Sequence, residues 1–241
     1  MNQIINHHRQ VWQQKKLLRE IYYGWYQKII KDLIPGKTVE LGSGSGNFKE
    51  YKPDIISSDI NPQPWLDMTF DAHQMPFKNG ELSNVIMIDV FHHLQNPLNF
   101  LNEAHRVLKR EGRIIMLEPF PSPFSLFIYR RFHPEPFIFN IDYFSKNFKS
   151  QNKTPWESNQ AIPYLFFFKH RTKFENIFNK KLKIIKSEKL SFLLYPLSGG
   201  FENKQLIPNC FIPIIALAEK LLIPLKNFLA FRYYITLEKI N

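Results

Sequence analysis

Between Val11 and Leu33 the apolar residues Leu17, Leu18, Ile21, Tyr22, Trp25, Ile29 and Ile30 recur at steps of three and four, the period of one amphipathic helix. Pro35-Gly36 ends it. The run Thr38–Leu41 then breaks into Gly42-Ser43-Gly44-Ser45-Gly46, the pattern of a short buried strand entering a glycine turn. Ile55–Ser58, Val85–Ile88 and Arg113–Leu117 are further strand-like runs, with a helix predicted over Leu98–Leu108. Strands alternating with helices predict an α/β fold, a Rossmann-like, doubly wound parallel sheet. After Glu118 the pattern changes to prolines and aromatics, from Pro119-Phe120-Pro121 to Phe132-His133-Pro134-Glu135-Pro136-Phe137, a stretch predicted to leave the sheet and cover its mouth. Lys183–Lys189 and Arg232–Lys239 read as two late strands, and between them Ile214, Leu217, Leu221, Leu225 and Phe228 stand at helical spacing. The chain thus divides into an N-terminal helical cap (1–36), a core (37–120), an aromatic, proline-rich cover insertion that binds the acceptor (121–182), and C-terminal strands with an amphipathic helix completing the same domain (183–241).

Composition changes this picture little. The 241 residues, 44% hydrophobic and 22% charged, suit one α/β domain with insertions. A single cysteine, Cys210, excludes an internal disulfide and a cysteine-built metal cluster. Met1–Gln10 is polar and lacks the apolar core of a secretory signal, so a cytoplasmic location is expected. The apolar region Leu206–Phe231 is broken by Glu219, Lys220, Lys226 and three prolines, which argues against a spanning helix. Two readings of it stay open: a helix packed on the sheet, or peripheral membrane contact in which its lysines favour anionic lipids.

The net charge of +11 is unevenly spread. Residues 39–120 carry 7 basic and 11 acidic side chains, whereas residues 121–241 carry 18 and 8. The acidic middle tolerates a cationic ligand and the basic flanks attract anionic partners.

Chemistry concentrates at the first strand–helix junction. Glycines at alternate positions let backbone turn sharply and approach a ligand closely. The spacing G-x-G-x-G differs from the G-x-G-x-x-G of a dinucleotide loop, and Glu40, two residues before Gly42, would repel a pyrophosphate while suiting an ammonium group. Asp59 ends the second strand, 17 positions beyond Gly42, where a carboxylate can accept both ribose hydroxyls. In Asp71-Ala72-His73-Gln74-Met75-Pro76-Phe77, the carboxylate of Asp71 could accept from an adenine amino group.

The ordered succession Glu40–Gly46, Asp59, Asp71-Ala72 with Met75-Pro76-Phe77, Asp89-Val90-Phe91-His92-His93-Leu94, Glu103–Lys109, Gly112-Arg113 and Glu118-Pro119 resembles the motifs of class I S-adenosylmethionine (SAM)-dependent methyltransferases. The branch is similar to methyltransferase type 11 and to the ubiquinone and menaquinone biosynthesis enzymes, over about residues 37–120. The resemblance implies a sheet of about seven strands whose last pair forms an antiparallel hairpin. It implies SAM as cofactor and S-adenosylhomocysteine as product. Glu40, Gly42, Ser43, Gly44 and Gly46 would hold the methionine end, Asp59 with Ile60 the ribose, and Asp71 with Ala72 the adenine, while Asp89 and Val90 would line the methionine portion. Phe91 replaces the usual smaller residue before the histidine pair and is expected to narrow the acceptor side. Pro196–Phe201 and Ala230-Phe231-Arg232 resemble segments of proteins associated with bacterial surface-glycan gene clusters.

Methyl transfer needs alignment and a dry pocket, and a base only where the acceptor is a neutral hydroxyl. His92 and His93, after the fourth strand, and His133, in the cover, are the candidate bases, with packing roles as the alternative. Glu118 could orient an acceptor or pair with Arg130 or Arg131. No metal is expected, because no H-E-x-x-H or repeated ligand spacing occurs. Phenylalanines interleaved with Arg130, Arg131, Lys169, Arg171 and Lys173 fit a small-molecule or lipid-linked amphiphilic acceptor, as in surface-glycan or isoprenoid-quinone metabolism. The same interleaving permits RNA, which ranks lower because no RNA-reading motif accompanies it. A non-catalytic scaffold that kept the fold, an RNA methyltransferase and a nicotinamide-dependent oxidoreductase are the competing classes.

Overall fold

The computed structural model describes residues 2–145, 148, 154 and 157–241. Its centre is a seven-stranded sheet in the order β3-β2-β1-β4-β5-β7-β6, with β1 Thr38–Leu41, β2 Ile56–Asp59, β3 Met68–Thr69, β4 Leu82–Ile88, β5 Leu108–Pro119, β6 Leu182–Leu190 and β7 Arg232–Lys239. β3 to β5 run parallel through the sheet, and β7 inserts antiparallel between β5 and β6. The parallel core and the reversed terminal pair agree with the sequence reading, while the two-residue β3 carried no strand signal.

Among the described residues ten helices surround the sheet: α1 Asn2–Gln14, α2 Lys16–Asp32, α3 Asn47–Tyr51, α4 Pro97–Val107, α5 Pro123–Phe132, α6 Ile162–Tyr164, α7 Arg171–Phe178, α8 Leu194–Ser198, α9 Ile212–Leu221 and α10 Lys226–Leu229. Alternation along the central strands builds two apolar layers. Val85, Met87, Ile114 and Met116 face one layer with Phe91, Phe100, Phe166 and Phe167. Ile86, Ile115 and Leu117 face the other, where α1 and α2 contribute Trp12, Leu18, Trp25, Tyr26 and Ile29. α4 starts at Asn96-Pro97, one residue ahead of the predicted start, and α5, which carried no helix prediction, starts at Ser122-Pro123: each cap side chain accepts a backbone N–H, at 3.1 Å, and each proline occupies the first turn.

Two expectations are corrected. The single helix over Val11–Leu33 is two helices, broken at Lys15, whose backbone is extended. The break has a tertiary cause, since the Lys15 ammonium donates to the carbonyls of Gly200, at 2.7 Å, and of Ser198 and Asn203. The second correction concerns Leu206–Phe231. α9 and α10 do not turn their apolar stripe onto the sheet: Ile214, Leu217, Leu221, Leu225 and Phe228 are all exposed. Among the described residues no helix is long and apolar enough to cross a membrane. Within the cover insertion, residues 146–147, 149–153 and 155–156 lie outside the described residues.

Candidate active site

A cavity of about 870 Å³ opens where the carboxyl ends of β1, β2, β4 and β5 meet α1, α2, α5 and the segment 193–206. Its first wall is the turn after β1. Gly42 lies at φ 65° and Gly44 at φ 45°, conformations that side chains resist. A Cβ on Gly42 would meet Val90 Cγ2 at 2.4 Å, whereas a Cβ on Gly44 would meet no atom nearer than 3.9 Å and would enter the cavity. The turn is clasped from β2. Gly44 N–H donates to Asp59 Oδ2 at 3.0 Å, and Asn61 N–H to Oδ1 at 2.9 Å.

Beneath it, Ser43 Oγ donates to Glu40 Oε2 at 2.7 Å and accepts Ser58 N–H at 3.1 Å, joining both strand ends through buried groups. Burial pushes the Glu40 carboxyl up to about 7, against the Ser43 hydrogen bond, and the nearby charge of Asp59 adds to the rise. Asp71 accepts from His73 N–H at 2.8 Å and contacts His73 Nδ1 at 2.7 Å. With Ile60 and Ala72 it lines the same cavity. Gly46 does not reach it: the residue caps α3 from φ 77°, its N–H donating to Ser43 O, with Trp65 against it.

The opposite wall comes from distant segments. Asp89, held at φ 58°, binds the wholly buried Arg232 at 2.5 Å. The guanidinium lies 5.0 Å from the Trp25 ring and 5.2 Å from that of Tyr195. Burial raises the phenols of Tyr22, Tyr129 and Tyr195, keeping them neutral beside this cation. Phe124, Ile128, Phe132, Leu197 and Phe231 supply apolar surface around them.

His92 joins the walls. Its Nδ1 lies 2.6 Å from Glu118 Oε2 and its Nε2 3.3 Å from Glu135 Oε2. Burial alone would lower its pKa, but Glu118 and then Glu135 outweigh this and raise it to about 10, so the ring is an imidazolium at neutral pH. Burial opposes ionisation of Glu135, yet His92, His93 and His133 hold its carboxyl well below the usual range. Glu118 also accepts Val90 N–H and Phe91 N–H at 3.1 and 2.8 Å, which fixes the turn after β4. His93 Nε2 stands 3.5 Å from Glu135 Oε1. His133 Nδ1 accepts from Gln160 Nε2 at 2.8 Å and from Glu135 N–H at 3.3 Å, while burial lowers its pKa.

Except for Gly46 and Glu118, every residue singled out for cofactor or catalysis lines this one cavity. Two pairings differ from expectation. Glu118 binds His92 rather than Arg130 or Arg131, because it points inward from β5 with no exposure at all. Phe91 does not narrow the acceptor side; its ring is buried among Phe100, Phe166 and Phe167. Arg232, Tyr22, Tyr195 and Glu135 escaped sequence reasoning. Only Glu135 had a usable signal, its place beside His133 in the proline-flanked turn.

The fold has counterparts among known proteins. Residues 39–116 match the family model described as a methyltransferase domain. The fold is one shared with solved SAM-dependent methyltransferases. An uncharacterized protein of Methanocaldococcus jannaschii is 30% identical over 106 residues, 40% of this chain. The match covers 52% of that relative, so the chain spans about half its length. A SAM-dependent methyltransferase of Thermotoga maritima, described as a possible histamine N-methyltransferase, superposes with a TM-score of 0.57 over 100% of both chains at 16% identity. Geranyl diphosphate C-methyltransferase of Streptomyces coelicolor, solved with Mg²⁺, geranyl diphosphate and S-adenosylhomocysteine, gives 0.53 over 93% of this chain and 81% of its own at 11% identity. At such identities the likeness carries the fold.

Glu118→Ala removes the main partner of a buried imidazolium and the acceptor of two backbone N–H groups. Urea unfolding at neutral pH is expected to show a loss of about 3–5 kcal/mol. A loss below about 1 kcal/mol would contradict the ion pair.

Proposed function

We propose that the protein transfers a methyl group from SAM to an amphiphilic acceptor, a small molecule or a lipid-linked one. The observation that carries this is the meeting, in one cavity, of the glycine–aspartate wall at β1 and β2 with an aromatic wall that holds a buried guanidinium. An isoprenoid quinol or a lipid-linked glycan has the matching chemistry, an apolar chain with a polar reacting head. The Streptomyces enzyme's acceptor, an apolar chain on an anionic head, is of the same general kind.

SAM, when bound, supplies a methyl group on a sulfonium, and its displacement needs no covalent intermediate with the protein. Glu40 and Ser43 would face the ammonium end, Asp59 the ribose hydroxyls, and Asp71 with Ala72 the adenine. The fit rests on the room in front of Gly44 and on a buried carboxyl that a cation would ionise. His92, held as an imidazolium between two carboxylates, anchors the cover rather than taking a proton. With Nδ1 accepting two N–H bonds, neutral His133 carries its proton on Nε2 and can donate to an acceptor oxygen. His93 and His133 also line the cavity. Positioning and exclusion of water therefore carry the rate, which suits an acceptor that arrives ionised or reacts through carbon.

Incubation with methyl-labelled SAM and fractionated cell extract is expected to place label in a small-molecule or solvent-extractable lipid fraction. Gly44→Arg, by filling the cavity, and Asp59→Ala, by removing charged acceptors, are expected to weaken S-adenosylhomocysteine binding about tenfold or more in calorimetry. No label, with unchanged affinity in both variants, rejects the proposal.

Glu40 gives a pH signature. Below about 7 its carboxyl is mostly protonated in the free protein, and a bound ammonium group favours the carboxylate. Binding should release a proton, and affinity should rise as pH increases from about 6 to about 8. Titrations in buffers of differing ionisation enthalpy should show the release in wild type and not in Glu40→Gln. A wild-type affinity that ignores pH would contradict the role given to Glu40.

A further inference from the structure

α9 is oriented opposite to an ordinary surface helix. Its one carboxylate, Glu219, points inward and accepts the N–H groups of Phe192 and Leu194 at 2.8 and 2.9 Å. Ile212 is buried, and Leu222 and Leu229 pack on the core at the following turns. This anchoring leaves Leu217 62% and Leu221 75% exposed, and Phe228 on α10 54%. Burying such side chains is favourable, so a face of this size left to water marks an interaction surface.

The surface continues to the cavity. α10 contacts α5, whose Phe127 is 68% exposed and whose Phe132 is both exposed and part of the cavity lining. Leu206, 70% exposed, lines the cavity from the other direction. Charge is one-signed around it: α5 carries Arg130 and Arg131, residues 206–231 carry Lys220 and Lys226, and the single acid of both segments is the inward Glu219.

From this we infer that α5, α9 and α10 form a face that docks on an anionic lipid surface, so that the acceptor enters between Phe132 and Leu206 from the bilayer. Apolar side chains ringed by arginine and lysine, with the acid turned away, are what a headgroup–acyl boundary with anionic lipid recognises. This commits the acceptor of the proposed reaction to the lipid-linked kind and rests on that reading for its purpose. The surface itself stands on the orientation of α9.

The test is cosedimentation of the full chain with phosphatidylcholine vesicles, with and without phosphatidylglycerol. Binding is expected with the mixed vesicles, weaker without the anionic lipid, and reduced by salt. The double variant Leu217→Glu, Leu221→Glu, outside the cavity lining, should lose about tenfold or more of that binding while S-adenosylhomocysteine affinity stays unchanged. Lys220→Glu with Lys226→Glu should remove the preference for anionic vesicles. Absence of binding to either vesicle, or equal binding by the leucine variant, overturns the inference. A dimer that the leucine variant dissociates, without vesicle binding by wild type, assigns the face to a second copy and overturns it as well. Vesicle binding that follows this pattern in a protein without affinity for S-adenosylhomocysteine supports the surface and contradicts only the proposed activity.

Discussion

Two hydrogen bonds accepted by one carboxylate organise the site. Asp59 accepts the N–H of Gly44 and of Asn61, and so ties the tip of β2 to the turn that follows β1. The turn can present its backbone only because Gly42 and Gly44 occupy positive φ and Gly42 leaves room for Val90. A side chain at Gly42 would press on the start of the β4 turn, which Glu118 fixes through Val90 and Phe91. The two walls of the cavity are therefore one mechanical unit.

The fold was legible where periodicity was local. The unbroken apolar runs Val85–Ile88 and Ile114–Leu117 reflect burial on both faces of a central sheet, and the helix predicted over Leu98–Leu108 lies at Pro97–Val107, one residue earlier at each end, because Asn96 and Pro97 cap it. The break at Lys15 was illegible because its carbonyl acceptors lie some 185 residues away. The outward turn of α9 was hidden for a related reason. Helical spacing gives the stripe but not its direction, and direction is set by Glu219 reaching the N–H groups after β6.

The site divides in the same way. Glu40, the glycines, Asp59 and Asp71 sit at strand ends, where spacing along the chain maps onto distance in space. Arg232, Tyr22 and Tyr195 come from β7, α2 and α8, and only the closing of the sheet brings them to Asp89. A cation buried between rings has no local pattern. The histidines were found by motif, but their roles depend on neighbours: His92 is charged because two carboxylates meet it, and His133 is neutral because burial dominates.

A crystal structure of the protein with S-adenosylhomocysteine bound tests the central claim most directly. The ribose hydroxyls are expected on Asp59, the adenine beside Asp71 and Ala72, and the ammonium group toward Glu40. Density for the ligand on another surface, or a cavity still empty at saturating ligand, would contradict it.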